Sequence, residues 1–205
     1  MFLKELKLSN FKNYPEAILQ FSDKLNCFIG GNGEGKTNLL DAIYYLSFCK
    51  SYFNPVDSQL IRHGEETFVL HGTYLRNGDR KDEVACQVGR NQRKQFRRNG
   101  KEYERLADHI GTITLVMISP YDRDLINEGS EVRRKYVDSV IAQFDKRYLE
   151  ELITYNRVLA QRNALLKRLA DGGGEAGRSL EYWDEQMTGP GQYIFEQRRD
   201  FLQGY

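Results

Sequence analysis

The run Gly30-Gly31-Asn32-Gly33-Glu34-Gly35-Lys36-Thr37 carries the most sharply defined chemistry in this chain. Its spacing, G-x-x-x-x-G-K-[ST], is that of a loop that grips a nucleotide triphosphate. Glycines without Cβ atoms let main-chain N–H groups turn inward onto phosphate oxygens. A helix predicted to begin near Lys36 aims its unsatisfied N–H groups and positive dipole end at the same anion. Lys36 then meets the β- and γ-phosphates as a point charge, and the Thr37 hydroxyl ligates the Mg²⁺ that bridges them. ATP and Mg²⁺ are the expected cofactors, held by Gly30, Gly31, Asn32, Gly33, Glu34, Gly35, Lys36, Thr37 and Asn38, with Thr37 on the metal.

Hydrolysis needs a second element, an apolar strand ending in Asp that holds Mg²⁺ and orients water. Leu115-Val116-Met117-Ile118 has the apolar run but is followed by Ser119 and Pro120. Asp41 lies on the helix after the loop and reads as a solvated helical carboxylate facing away from the site. The guanine-reading N-K-x-D is absent. The chain is therefore expected to hold half of a nucleotide site, with no catalytic residue of its own.

These residues need elements to position them. Phe2–Leu8 alternates apolar and polar side chains as a half-buried strand does. Ala17–Phe21 and Leu25–Ile29 are further predicted strands, the latter running into the glycines. At helical spacing Leu39, Leu40, Ile43, Tyr44 and Leu46 follow. Thr67–Arg105 is β-rich, with hairpin turns predicted at Asn77-Gly78 and Asn99-Gly100. Thr112–Ile118 is a predicted apolar strand stopped by Pro120. Helices then dominate. Ser130 is the expected N-cap of one, about Lys146–Leu169 forms a second, and about Arg178–Leu202 a third, interrupted near Gly189-Pro190-Gly191. Asp171–Gly177 reads as a loop. The expected division is an α/β lobe over residues 1–122 and a helical domain over residues 123–205, which reads as truncated because Gln203-Gly204-Tyr205 has no capping logic.

Composition limits the function classes. In 205 residues, 30 Lys plus Arg oppose 29 Asp plus Glu, so the net charge of +1 excludes a uniformly basic, histone-like protein. Three cysteines are too few and scattered for a disulfide framework. No apolar run approaches the ~18 residues of a membrane helix, and the N-terminus lacks a signal-peptide pattern. A cytoplasmic protein without membrane contact is expected.

Local charge points to nucleic acid. Arg90–Lys101 holds six basic residues and no acid. Arg93, Lys94, Arg97 and Arg98 could neutralise DNA phosphates around a hairpin, the alternative being a solvated strand pair. Phe96 is either an interleaved aromatic or core. Arg162 is the helical candidate, on a face otherwise mixed in charge. No recognition-helix pattern exists, so base-specific readout is not expected. His63, His71 and His109 lack ligand spacing.

The chain resembles the RecF family of bacterial ABC/SMC-type ATPases. The marks are Leu6–Tyr14 (LKLSNFKNY), the loop continuing as GKTNLLDAIYYLS, Ser119-Pro120 with Asp122, Arg133 and Arg134, and Leu159–Lys167 (LAQRNALLK). The resemblance implies an α/β P-loop NTPase fold, namely half of an ABC-type head with a β-hairpin subdomain, followed by a helical arm. It implies heads that form a homodimer when ATP-bound, hold double-stranded, gapped or single-stranded DNA, and release it on hydrolysis. RecO- and RecR-like partners would help load a recombinase at gaps during replication repair and the SOS response. By position, Lys12 and Asn13 would lie near adenine and ribose, or form an exposed turn. Asp122 would sense the γ-phosphate, or cap a helix. The family pattern Ser-His-Arg becomes Ser51-Tyr52-Phe53 here. A small-metabolite P-loop kinase is the alternative, disfavoured by the β-hairpins. An assembly scaffold that binds ATP without hydrolysing it is a third reading, and hydrolysis by this chain alone is expected to be negligible.

Overall fold

A computed structural model describes residues 1–76, 80–171 and 177–204. The predicted Asn77-Gly78 turn and most of the Asp171–Gly177 loop lie outside the described residues. The chain divides into two compact units, Met1–Met117 and Ile118–Tyr205.

The first unit is built on an antiparallel sheet of six strands: β1 (Phe2–Phe11), β2 (Tyr14–Gln20), β3 (Thr67–Arg76), β4 (Arg80–Gly89), β5 (Gln95–Arg98) and β6 (Lys101–Glu102). Their order is β2-β1-β3-β4-β5-β6. Strict alternation sets which face is buried. Leu6, Leu8, Phe68, Leu70, Tyr74, Val84, Cys86, Val88 and Phe96 point to one side. Helix α1 (Lys36–Phe48) covers that side with Leu39, Ala42, Tyr45 and Leu46, which share one stripe at helical spacing. Phe96 is thus core. Between β5 and β6, Asn99 and Gly100 both take positive φ, 50° and 79°, as the tightest hairpin turn requires.

Two predicted strands do not form. Leu25–Ile29 and Thr112–Ile118 belong to no strand of the described sheet. Ile29 is 96% exposed, and Leu25, Val116 and Ile118 are also exposed. A strand needs a neighbour to take its backbone groups, and apolar alternation alone supplies none. In the second segment side chains take that place: Arg76 donates to the Thr112 carbonyl (2.8 Å) and Ser47 to that of Ile113 (2.6 Å).

Helices make the second unit: a short α2 (Asp124–Asn127), α3 (Ser130–Ile141), α4 (Lys146–Ala170) and α5 (Gly177–Gln203). Ser130 is the first residue of α3 rather than its cap; Gly129 holds the cap position, and the Ser130 hydroxyl accepts from Arg134. Asp145 caps α4 by accepting from the Tyr148 N–H. Helix α5 runs unbroken through Pro190, correcting the expected interruption. Proline forfeits one ladder bond, while packing offsets that loss: Gly191 lies against the Tyr155 ring, where a Cβ would come within 3.2 Å. Arg198 bonds both oxygens of Asp138 at 2.8 Å, tying α5 to α3. None of the described helices is long and apolar enough to cross a membrane.

Candidate nucleotide-binding site

Helix α1 begins at Lys36, directly after the glycine loop, so its first-turn N–H groups open towards that loop. Gly35 takes φ 102° and Gly33 φ 85°, left-handed conformations in which a side chain would be strained. Asn32, Gly33, Gly35, Lys36, Thr37 and Asn38 line a cavity of about 250 Å³. The predicted loop and helix start thus share one concave site.

Lys36 closes the loop on itself, its ammonium donating to the carbonyls of Gly30 (2.7 Å) and Gly31 (2.6 Å). The Glu34 carboxylate lies against the same two glycines, and a Cβ on Gly30 would collide with it. Thr37 is exposed at the cavity. Among the described residues no three His, Cys, Asp or Glu side chains gather to hold a metal. The donors present suit Mg²⁺, which takes one protein oxygen beside phosphate and water oxygens rather than a full protein cage.

The β1–β2 turn clasps the loop. Asn13 donates to the Glu34 carbonyl (3.1 Å), and its own side-chain oxygen accepts from Asn38 (2.8 Å). A Cβ at Gly35 would come within 2.5 Å of the Asn13 amide. The Tyr14 hydroxyl donates to the Gly35 carbonyl (3.2 Å). Lys12 is placed differently from its expected contact with the nucleotide. Its ammonium meets Asp41 at 2.6 Å and does not line the cavity. Asp41, expected to be solvated, is 0% exposed and also accepts from the Ser51 hydroxyl and the Tyr52 N–H, each at 2.7 Å. A buried carboxylate must be paired or bonded in this way. Sequence reasoning missed these roles of Tyr14, Asp41 and Ser51. The available signal for Asp41 was its helical spacing to Tyr44, Tyr45 and Phe48, all buried.

Asp122 accepts from the Ser119 N–H (2.7 Å) and hydroxyl (3.3 Å), capping the turn at Pro120–Arg123. This is the capping alternative, and Asp122 lies in the second unit. Of the basic candidates, Lys94 is drawn inward to Asp57 (2.6 Å) and the Cys49 carbonyl (2.7 Å), over the Tyr45 ring. Arg98 bonds both oxygens of Asp82 at 2.7 and 2.6 Å, beside Arg76, and these guanidinium groups hold the Asp82 carboxyl below its usual range. Arg162 pairs with Asp184 at 2.5 Å. Arg93 and Arg97 remain exposed on the hairpin, touching Glu104 and Glu102.

A family profile described as the AAA ATPase domain matches residues 1–166. The chain belongs to the AAA ATPase domain family. Within it the likeness is to RecF. The chain is 53% identical over 202 residues to the DNA replication and repair protein RecF of Phocaeicola vulgatus, covering 98% of this chain and 54% of that one. Its identity to the RecF of Flavobacterium johnsoniae is 51% over 205 residues, covering 100% and 57%. The chain spans about half the length of the curated relatives it matches. The solved structure of the recombination mediator protein RecF-ATPrS in the RecFOR pathway superposes with a TM-score of 0.93 at 33% identity, over 98% of this chain and 54% of that one. An Smc head bound to the C-winged helix domain of ScpA superposes at 0.54 with 20% identity, over 81% and 60%, a likeness of fold. The RecF-like chain therefore has the ABC/SMC-type ATPase head fold, with its antiparallel sheet and helices.

Proposed function

We propose that this chain is the nucleotide-gripping part of a RecF-like ATPase head. It binds ATP with Mg²⁺ on residues Gly30 to Asn38, assisted by Asn13. One observation carries the reading: the start of α1 at Lys36 and Thr37 shares one cavity with the loop residues Asn32, Gly33 and Gly35, with Asn38 beside them. Such a site offers a triphosphate the dipole and N–H groups of a helix end and one mobile cation. Mg²⁺, which the Thr37 hydroxyl would hold, would supply charge neutralisation to the triphosphate. Lys36 leaves the Gly30 and Gly31 carbonyls for the phosphates. Thr37 offers its oxygen, and Asn13 keeps the loop backbone aligned.

In the whole protein, two ATP-loaded heads form a homodimer that holds double-stranded or gapped DNA and lets go on hydrolysis. Arg93 and Arg97, exposed on the basic hairpin, are the cations offered to DNA phosphates. RecO- and RecR-like proteins are the partners, a recombinase is loaded at gaps, and recombinational repair, replication and the SOS response in the cytoplasm are the setting.

Lys36→Ala is expected to weaken MgATP binding by about tenfold or more, since a hydrogen bond to a charged group contributes about 1.5–3 kcal/mol. Titration calorimetry reads the affinity, and a thermal melt checks the fold. Unchanged binding by a folded Lys36→Ala chain contradicts the site.

A further inference from the structure

We infer that Asp41 and Lys12 are positioning residues for the phosphate loop, and that they act through Asn13. Asp41 touches no part of the cavity. It sits inside α1, buried, and ties that helix to two other segments. From the β1–β2 turn comes the Lys12 ammonium, at 2.6 Å. From the stretch after α1 come the Ser51 hydroxyl and the Tyr52 N–H, each at 2.7 Å. The Lys12 ammonium also lies over the rings of Phe11 (5.7 Å) and Phe53 (5.6 Å), a largely water-free setting that strengthens its charge pairing.

The turn so held is a strained one. Lys12 takes φ 52°, a left-handed conformation uncommon for a side-chain-bearing residue, and Asn10 takes φ 53°. Two bonds compensate. The Lys12 N–H donates to the Leu60 carbonyl at 2.7 Å, and its ammonium reaches Asp41. The residue immediately after Lys12 is Asn13, which holds the loop at Glu34 and helix α1 at Asn38. Lys12 and Asp41 therefore fix where the Asn13 amide lies. Asn13 in turn fixes the backbone at Gly35, where no Cβ could fit. The pair reaches the phosphates only through this chain of contacts.

The inference rests on nucleotide binding at this loop, and a double-mutant cycle separates the two. MgATP affinity is measured by fluorescence titration with a ribose-labelled ATP for the wild-type chain, Asp41→Asn, Asn13→Ala and the double variant. Each single variant is expected to bind about tenfold more weakly, and the double variant about as weakly as the worse single. Purely structural damage at Asp41 predicts independent, multiplying losses, about a hundredfold in the double variant, and that outcome overturns the inference. So does unchanged affinity in folded Asp41→Asn. If Asp41→Asn does not fold, Lys12→Gln breaks the pair from the turn side and is held to the same non-additivity with Asn13→Ala. Failure of the wild-type chain to bind overturns the site assignment as well as the inference, whereas binding with additive losses overturns the inference alone.

Discussion

At the level of single residues, the site mixes a cation that suits phosphate with an anion that does not. Glu34 places a carboxylate against Gly30 and Gly31, at the mouth of a loop suited to a polyanion. Two unit charges about 4 Å apart in water repel by about 1 kcal/mol. Glu34→Gln is therefore expected to tighten ATP binding about fivefold, with the gain shrinking as Mg²⁺ or salt is raised. Calorimetry at two magnesium concentrations reads this, and weaker binding by the variant contradicts it. His109 is a second residue whose setting has a measurable consequence. It is 0% exposed, its Nε2 lies 2.7 Å from the Leu46 carbonyl, and its Nδ1 has no partner among the described residues. A carbonyl only accepts, so Nε2 carries the proton and Nδ1 is bare. Burial, with Arg98 adding to it, lowers the His109 pKa, while the Leu46 bond opposes the shift. The unfolded chain then takes up a proton at about pH 6.5, before the folded one does. Stability is present above that pH and is lost as the pH falls below it. His109→Gln, which keeps a donor for Leu46, should flatten the fall in melting temperature between about pH 7.5 and 5.5. An unchanged slope contradicts the assignment.

Among the elements, local signals worked where the partner was local. The α1 stripe and the Asn99-Gly100 turn were legible because contiguous residues specify them. Leu25–Ile29 and Thr112–Ile118 were not, since a strand exists only beside another. The continuity of α5 through Pro190 was also illegible, because packing against α4 outweighs the local cost of a proline. That packing is testable. Gly191→Val forces a branched side chain against Tyr155 and should destabilise the helical unit by about 1–3 kcal/mol. Gly189→Ala meets nothing within 4 Å and should be neutral or stabilising by up to about 1 kcal/mol. Chemical denaturation of both variants reads the contrast, and equal effects contradict the close approach.

Across the whole molecule, charge is almost balanced, and much of it is neutralised internally. Lys12, Lys94, Arg98, Arg162 and Arg198 each face a carboxylate. The basic run Arg90–Lys101 is therefore a smaller outward field than its sequence suggests, with Lys94 and Arg98 turned to Asp57 and Asp82. If this hairpin meets DNA, Arg93→Glu with Arg97→Glu should weaken duplex binding by the full-length protein. The log–log salt slope should become shallower by about two, one for each phosphate that is no longer neutralised. Lys94→Gln should instead act on stability. A salt slope unaltered by the double reversal moves DNA to another surface.

What the chain's order of residues determined by itself was the phosphate loop and the helix behind it. Glycine spacing, Lys36, Thr37 and the apolar stripe of α1 lie within one short stretch, and short-range sterics and periodicity suffice to read them. Only the tertiary structure decided the roles of Asp41, Lys12, Lys94 and Arg98. Their partners are remote in sequence, and a charged side chain's meaning depends on whether folding leaves it in water or beside its counter-charge.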